Sequence, residues 1–317
     1  MKTTYSKTIE KPSGFQFARW SAGAKAFEDT LPPEQRVIHD PLAHYYAGQA
    51  GMRMVKMMHV INPNIRKAIA LRARYFDDHS RQCVKEGYEQ VVLLGAGYDS
   101  RYIRLPEFQR TTIFELDLSS TQVIKKALTR RLYGKLPNNV VYVPIDFSKD
   151  SVTEKLMAAG YQTHGKTLFI WEGVTLFLNQ AIIEETLGRL AELGQGNRII
   201  FDFVPPELVD DETDYKGNRQ LLKLCADVQE PLTFGCQPER MKGILNSVGY
   251  DKIKIVSMRE ANRIYCESEN IEDSYFFATA EVKPNDQDHG LIFKPKGIIG
   301  CGGGNGEDPL RSEFKGR

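Results

Sequence analysis

Five short apolar segments, separated by stretches with helical periodicity, constrain the fold of this chain more than any other feature. The segments begin at Val91, Thr111, Val140, Thr167 and Arg198. None of them alternates apolar with polar residues, which is typical of strands buried on both faces of a parallel sheet. Helical patterns run from about 119 to 131 and from about 180 to 193, and this alternation predicts right-handed crossovers. We therefore expect an α/β fold with a doubly wound sheet.

The segments on either side of this core differ from it. Residues 1–88 show helical patterns interrupted by Pro32-Pro33 and Asp40-Pro41, and we interpret them as an N-terminal helical lid. Residues 89–282 hold the sheet, and two further strands near 251–257 and 274–282 are expected to close its edge. Residues 283–317, with a glycine-rich stretch, have turn composition and are expected to form a flexible tail.

The composition argues against several classes of protein. Lys and Arg number 42 against 41 Asp and Glu, a net charge of +1, which gives no electrostatic footprint for nucleic acid or an anionic membrane. No apolar run approaches the ~20 residues of a membrane helix, and the first residues lack the apolar stretch of a secretory signal. The five cysteines form no C-x-x-C pair and the six histidines no H-x-x-x-H pair, so we expect no metal site. Free thiols in the cytoplasm are the expectation.

Two glycines follow the first strand, in the segment Leu94-Gly95-Ala96-Gly97-Tyr98-Asp99-Ser100-Arg101. Glycines at this place let the backbone turn tightly and approach a ligand, and ligands of open α/β sheets bind at the carboxyl ends of the strands. A nucleotide cofactor is one interpretation, and a tight turn between strand and helix is the other. The third glycine of a dinucleotide motif would stand at Ser100, and no phosphate-loop motif is present.

Acidic residues end three further strands. Glu115 and Asp117 come about 20 residues after the glycines, where a carboxylate can accept hydrogen bonds from ribose hydroxyls. We expect both side chains on the same face of the strand, so that either could reach the ribose. Asp146 precedes Phe147, a pair suited to an adenine amino group and ring. Glu172 ends the fourth strand and faces the same crevice. Helix N-termini and solvated turns would explain each acid singly.

Taken together, these motifs resemble S-adenosylmethionine-dependent methyltransferases of the leucine carboxyl methyltransferase type, a group that includes polyketide O-methyltransferases of the tetracenomycin type. The matching stretches are the glycine motif, Glu115-Leu116-Asp117, Ile145-Asp146-Phe147, Trp171-Glu172-Gly173-Val174, and two earlier ones around Asp40-Pro41 and Arg72-Ala73-Arg74-Tyr75. The resemblance implies a Rossmann-like methyltransferase sheet of about seven strands under the helical lid. The chain departs from the family at Phe147, usually leucine, and at Ser119, often proline.

The resemblance also implies roles for individual residues at the methionine end of the cofactor. Arg74, with Arg72 as the second choice, would pair with the methionine carboxylate, because a guanidinium grips a carboxylate with two hydrogen bonds. Glu172 would lie near the methionine amino group. Lys25 stands where the family places a basic cofactor contact.

At the nucleoside end, Gly95 and Gly97 would let the loop pass under the cofactor. Asp117 matches the family's ribose-binding position, and Asp146 with Phe147 matches its adenine-binding pair. The expected cofactor is S-adenosyl-L-methionine, and no catalytic residue is assigned.

The expected function is O-methylation of a small-molecule or peptide acceptor. A carboxylate acceptor needs no general base, whereas a hydroxyl acceptor does, and no histidine can be placed in the crevice from the sequence. The stretch from Met52 to Met58 is expected to pack as adaptable core or to line the acceptor pocket. Two alternatives stay open: a non-catalytic cofactor-binding protein on the same fold, and an NAD-linked oxidoreductase.

Overall fold

The computed structural model describes residues 15–266 and 271–284 of the chain. Within these residues, seven strands form a single sheet. They are β1 (Gln90–Leu94), β2 (Thr112–Asp117), β3 (Val140–Pro144), β4 (Thr167–Trp171), β5 (Arg198–Phe203), β6 (Tyr250–Ser257) and β7 (Phe276–Val282). The proposed tail falls almost entirely outside the described residues, as do the glycine-rich stretch and Cys301.

The strand order is β3-β2-β1-β4-β5-β7-β6. Strands β1 to β5 are parallel, and β7 runs antiparallel between β5 and β6. The expectation of a doubly wound sheet of about seven strands is confirmed. The order reverses between β1 and β4, and ligands of open α/β sheets bind at such a reversal.

Eleven α-helices surround the sheet in the described part of the chain. They are α1 (Phe15–Glu28), α2 (Ala43–Ile61), α3 (Pro63–Lys85), α4 (Arg101–Arg104), α5 (Ser119–Tyr133), α6 (Val152–Ala158), α7 (Gln180–Ala191), α8 (Pro206–Val209), α9 (Asn218–Asp227), α10 (Pro238–Ser247) and α11 (Met258–Cys266). The two helices predicted in the central region are α5 and α7. No helix of the described ranges is long and apolar enough to span a membrane.

Local sequence explains where several helices begin and end. The Asn62 side chain accepts a hydrogen bond from the Asn64 backbone at 2.9 Å, and Pro63 occupies the first turn of α3, a favourable N-terminal arrangement. Asn179 caps α7 in the same way. Helix α5 ends at Gly134, which adopts a left-handed conformation with φ of 74°, as C-terminal glycines commonly do.

The sheet is apolar on both faces, as the continuous apolar runs predict. Val92 and Leu94 belong to the cluster on one face, whereas Val91 and Leu93 belong to the cluster on the other. All five residues of β1 are buried. Helix α3 contributes Phe76 to the second face, so the N-terminal region packs directly against the sheet.

Helices α1 and α2 cross with their backbones in close contact. A Cβ at Gly23 would lie 2.7 Å from the Gly51 carbonyl oxygen, and a Cβ at Gly51 would lie 2.5 Å from the Arg19 carbonyl oxygen. Neither position can therefore carry a side chain without separating the two helices. This contact fixes the position of α1 over the carboxyl ends of the strands.

Candidate functional site

A cavity of about 460 Å³ lies at the carboxyl ends of the central strands. The segments that follow β1, β2, β3 and β4 form its floor and sides. Helix α1 covers it with Phe17, Ser21 and Lys25, while Arg72 of α3 enters from the side. The sheet therefore places Asp117, Asp146 and Glu172 around one space, under the helices of the expected lid.

The loop after β1 needs both of its glycines. Gly95 has a φ of 68° and Gly97 a φ of 44°, a region that costs other residues about 1–2 kcal/mol. A Cβ at Gly95 would lie 2.5 Å from Cγ2 of Val174, and a Cβ at Gly97 would lie 3.3 Å from Cβ of Ala18. The loop is thus held against both the segment after β4 and the covering helix.

Asp117 projects into the cavity from the end of β2. Its carboxylate accepts hydrogen bonds from the backbone N–H of Gly97 at 2.5 Å and of Leu118 at 2.6 Å. Burial raises the pKa of Asp117, and these two hydrogen bonds oppose the rise. A carboxylate held in this way keeps further lone pairs for hydroxyl donors.

Glu115 does not reach the cavity, and the expectation that it could take the role of Asp117 is corrected. Its side chain is fully buried beside α5, where Lys125 Nζ donates to Oε1 at 2.5 Å. Burial raises the pKa of Glu115 to about 7, although the positive charge of Lys125 acts to lower it. Side chains two positions apart on a strand point to the same face, so Glu115 and Asp117 share one face of β2. Helix α5 covers that face at Glu115 and leaves it open only at Asp117.

Asp146 and Phe147 lie together at the rim that follows β3, and both line the cavity. Lys149 Nζ donates to Asp146 Oδ2 at 2.7 Å, and the Ser148 hydroxyl donates to Oδ1 at 2.6 Å. These hydrogen bonds lower the pKa of Asp146 to about 2, so the carboxylate is an acceptor at neutral pH. The Phe147 ring is half-buried, with its centroid 6.2 Å from that of Trp171.

Arg72, the second choice of the sequence analysis, is the arginine of α3 that lines the cavity. It donates from Nε to Glu172 Oε1 at 3.1 Å, from Nη1 to Asp202 Oδ2 at 3.0 Å and from Nη2 to the Ser21 hydroxyl at 3.2 Å. A Cβ at Gly173 would lie 2.9 Å from Arg72 Nη2. Glycine at that position therefore makes room for the guanidinium.

Arg74, the first choice, lies outside the cavity lining, and its assignment is corrected. It donates from Nε to Asp78 Oδ2 at 3.0 Å and from Nη1 to the Val37 carbonyl at 3.3 Å, and its side chain is 41% exposed. On a helix, two residues that are two positions apart face different directions. The sequence pattern could not decide which of the two faces the sheet.

Arg101, to which the sequence analysis gave no role, is the centre of the ion-pair network. It is 2% exposed and donates to Glu172 Oε2 at 2.6 Å, to Asp77 Oδ1 at 2.8 Å and to Asp99. The sequence feature that could have identified Arg101 is its place in the glycine motif, three residues after Tyr98.

Lys25 belongs to the same network through Asp40. Its Nζ lies 3.0 Å from Asp40 Oδ2, which also accepts a hydrogen bond from the Ser100 hydroxyl at 2.7 Å. Arg104 links Asp40 to Asp77, at 3.6 Å and 2.5 Å. The Asp-Pro segment of the sequence thus holds the loop after β1 and the covering helix together. Burial acts to raise the pKa of Asp40, but the neighbouring cations Lys25 and Arg104 outweigh burial and strongly lower this pKa.

The lining of the cavity holds more carboxylates than cations. The carboxylates are Asp99, Asp117, Asp146, Glu172 and Glu230, and the cations are Lys25, Arg72 and Arg101. Burial would raise the pKa of Glu172, but Arg101 and Arg72 lower it to about 2. The site is therefore suited to a ligand with net positive charge.

The residues present fit S-adenosylmethionine. Its ammonium, sulfonium and carboxylate sum to +1, and carboxylates outnumber cations in the lining of the cavity. Because Gly95 and Gly97 carry no side chains, the loop leaves space over the end of β1, and Asp117 presents acceptors there. Asp146 and Phe147 offer an acceptor and an aromatic face at the opposite end.

The methionine-rich stretch of α2 lies elsewhere. Met58 is fully buried, and Met52 and Met54 pack with it against Trp20 and Val55. None of these methionines lines the main cavity or the smaller cavity beside it. The expectation of adaptable core fits these three residues, whereas Met57 is 47% exposed.

Comparison with known proteins agrees with this geometry. The sequence profile of the leucine carboxyl methyltransferase family matches residues 18–191, more than half of the chain. A proposed S-adenosylmethionine-dependent methyltransferase of Mycolicibacterium paratuberculosis is 29% identical over 238 residues, which cover 69% of this chain and 71% of that protein. YktD of Bacillus subtilis, with the same proposed activity, is 27% identical over 165 residues, 51% of this chain and 54% of YktD. The chain thus spans only about half of the second relative.

Two solved structures share the fold. A proposed methyltransferase from Thermobifida fusca superposes with a TM-score of 0.58 at 10% identity, over 87% of this chain and all of that one. A DUF574 family protein from Streptomyces avermitilis gives 0.60 at 13% identity, over 83% and 97%. The family match decides between S-adenosylmethionine and a nicotinamide cofactor in favour of the former. The chain belongs to the leucine carboxyl methyltransferase family of S-adenosylmethionine-dependent methyltransferases.

Proposed function

We propose that this protein transfers the methyl group of S-adenosylmethionine to an oxygen of a small-molecule or peptide acceptor, and that this oxygen belongs to a carboxylate. The observation that carries the proposal is the lining of the main cavity. No histidine lines it within the described residues, and a carboxylate acceptor is ionised at neutral pH and needs no base. The family profile is named for carboxyl methylation, which supports the same choice.

The cofactor supplies an electrophilic methyl group on a positively charged sulfur. We assign Arg72 to its carboxylate in place of Arg74, and Glu172 to its ammonium group. Asp117 accepts hydrogen bonds from the ribose hydroxyls. Asp146 accepts one from the adenine amino group, and Phe147 packs on the base.

Rate enhancement in this proposal comes from positioning and from exclusion of water. Helix α1 covers the cavity, and its first turn is held by Glu230, whose carboxylate accepts from the backbone N–H of Gln16 at 3.2 Å and of Phe17 at 3.1 Å. The Phe17 ring packs on Phe177, with centroids 4.9 Å apart. These contacts keep the cover closed over the reacting groups.

A hydroxyl acceptor is the second candidate, because one carboxylate of the cavity, Glu230, is assigned neither to the cofactor nor to the arginine network. Glu230 lines the cavity and is 5% exposed. It could accept the proton of a hydroxyl as the oxygen attacks the methyl group. We also propose that the partner is limited to this acceptor, without nucleic acid or membrane, and that the protein acts in the cytoplasm, in keeping with its buried free thiols at Cys83 and Cys225.

Transfer of a tritiated methyl group tests the proposal. The purified protein is incubated with labelled S-adenosylmethionine and a panel of carboxylates, leucine-ended peptides, phenols and amines. Methyl esters release volatile methanol in mild base, whereas methyl ethers and methylamines do not. Base-labile label that disappears with Asp117→Asn is the expected result. Base-stable label on a phenol would favour the second candidate, and label on amines alone would overturn both.

A further inference from the structure

A second, smaller cavity lies beside the main one. Its volume is about 30 Å³, and Phe17, Trp20, Leu176 and Tyr275 line both cavities. A water molecule needs about 10–15 Å³ of such space. The second cavity therefore has room for a chemical group of two or three atoms, and not for a whole substrate.

The apolar part of the remaining wall comes mainly from the region after β5. Leu208, Leu221, Cys225 and Leu232 contribute to it, and the first three are at most 8% exposed. This wall belongs to the part of the chain beyond residue 191, where the family profile ends.

Two buried polar atoms in the lining residues of this cavity have no hydrogen-bond partner among the described residues. They are Nε1 of Trp20 and Oδ1 of Asn218, in side chains that are 3% and 4% exposed. Leaving such atoms unsatisfied is unfavourable, and native structures rarely do so without a reason. One atom is a donor and the other an acceptor.

The orientation of the Asn218 amide is fixed by its other contacts. Its Nδ2 donates to the Leu208 carbonyl at 3.1 Å and to Asp211 Oδ1 at 3.0 Å. Both partners are acceptors only, so the amide nitrogen must face them and the carbonyl oxygen must be the unsatisfied atom.

We infer that the second cavity is a recognition subsite for the methyl acceptor, and that it takes an uncharged group that both accepts and donates a hydrogen bond, a carboxamide or a hydroxyl. The Trp20 indole donates to this group, and Asn218 Oδ1 accepts from it. This inference rests on the proposed function, since it describes the acceptor of that reaction.

A carboxylate does not fit the subsite. Its oxygens would face Asn218 Oδ1 without a proton between them, and Trp20 offers one neutral donor. The charged residues in the lining are Lys216 and Glu272. Lys216 is exposed, and Glu272 Oε2 accepts from Asn62 Nδ2 at 3.2 Å. The oxygen that is methylated and the group that is recognised here are therefore different parts of a carboxylate acceptor.

Indole NMR tests the inference without methyl transfer. The chain has two tryptophans, so nitrogen-15 labelling gives two indole signals, and Trp171→Phe assigns them. The protein, saturated with S-adenosylhomocysteine, is titrated with acetamide and with acetate. A saturable shift of the Trp20 signal by acetamide, with binding by acetate weaker by about tenfold or more, is expected. No shift with acetamide, or equal shifts with both, would overturn the inference; the former is also the result for a resident water.

Filling the cavity provides the control. Leu221→Phe should remove the acetamide shift, whereas Val60→Phe, at a position 83% exposed, should retain it. If Leu221→Phe does not fold, Cys225→Leu serves the same purpose. An acetamide shift that survives both filling variants would count against the subsite. Calorimetric affinity for S-adenosylhomocysteine, measured on the same samples, reports separately on the proposed cofactor site.

Discussion

Arg72 donates from Nε to Oε1 of Glu172 at 3.1 Å, and this contact joins helix α3 to the carboxyl end of β4. The same guanidinium reaches Asp202 at the end of β5. Both carboxylates are on the sheet, whereas Arg72 is on the helical part of the chain that precedes it. The ion pair therefore positions a cofactor-binding cation and attaches the N-terminal helices to the sheet at the same time.

Replacing Arg72 should impair both functions. Arg72→Ala leaves Glu172 and Asp202 without this cation in a buried place, which costs on the order of 3–5 kcal/mol. Arg72→Lys retains the charge but loses the second planar contact. We expect Arg72→Lys to bind S-adenosylhomocysteine about tenfold more weakly or worse by calorimetry.

Arg74→Lys is the matched control on the same helix. Its ion pair with Asp78 is half exposed, and such pairs contribute about 0.2–1 kcal/mol. Cofactor affinity should be unchanged. A loss of affinity with Arg74→Lys, and none with Arg72→Lys, would return the carboxylate to the residue that the sequence resemblance favoured.

Asp117 and Glu115 provide a second matched pair. Asp117→Asn replaces an acceptor by a donor next to backbone N–H groups that now donate to the carboxylate. The loss of charge-assisted hydrogen bonds, worth about 1.5–3 kcal/mol, should weaken cofactor binding by about one to two orders of magnitude. Calorimetry with S-adenosylhomocysteine measures it.

Glu115→Gln should act on stability instead. At pH 8, above the pKa of about 7 of Glu115, it removes the charge that faces the buried Lys125, so the free energy of unfolding in urea should fall while cofactor affinity stays within about twofold of the wild type. Equal loss of affinity in the two variants would contradict the assignment of the ribose contact to Asp117.

Much of the fold could be predicted from the sequence because it depends on local pattern. The apolar run at Val91–Leu94 needs only to be buried on both faces, and that is visible in its composition. The glycines after it need only a turn and close approach. Strand-end acids such as Asp117 and Glu172 then follow from topology, since parallel strands bring their carboxyl ends to one edge of the sheet.

Helix rotation and long-range pairing could not be predicted in this way. Arg72 and Arg74 lie on different sides of α3. Which of these sides faces the cavity depends on how α3 packs on the sheet. Arg101 requires Asp77 and Glu172, which lie 24 and 71 residues away. The second cavity requires Trp20 and Asn218, which lie 198 residues apart in the chain, and no sequence motif brings these together.

Gly95→Ala tests how closely the cofactor loop is packed. Gly134 has a similar φ of 74° but no atom within 4 Å of an added Cβ, whereas the Cβ at Gly95 would meet Val174. Gly134→Ala should therefore lower the free energy of unfolding only by the backbone cost of about 1–2 kcal/mol. Gly95→Ala should lower the free energy of unfolding in urea by more than this. The double variant Gly95→Ala, Val174→Ala should recover the additional loss. Equal losses at the two glycines would show that the contact with Val174 is easily relieved.

Glu172→Gln tests the electrostatics of the network through pH. Because Arg101 and Arg72 outweigh burial, the pKa of Glu172 falls from 4.5 to about 2 in the folded protein. Between these two pH values, the unfolded chain therefore binds more protons than the folded protein. The contribution of the Glu172 charge to the free energy of unfolding is complete above pH 4.5 and is lost as the pH falls towards 2. At about 1.4 kcal/mol per pH unit it amounts to about 3 kcal/mol.

In urea unfolding at a series of pH values, the stability difference between wild type and Glu172→Gln should accordingly shrink as the pH is lowered through that range. Glu192→Gln changes a carboxylate that is 64% exposed, and its difference from the wild type should be small at every pH. A wild-type advantage over Glu172→Gln that stays constant from pH 6 to pH 3 would mean that the carboxylate stabilises the protein by packing and hydrogen bonding, and not by its charge.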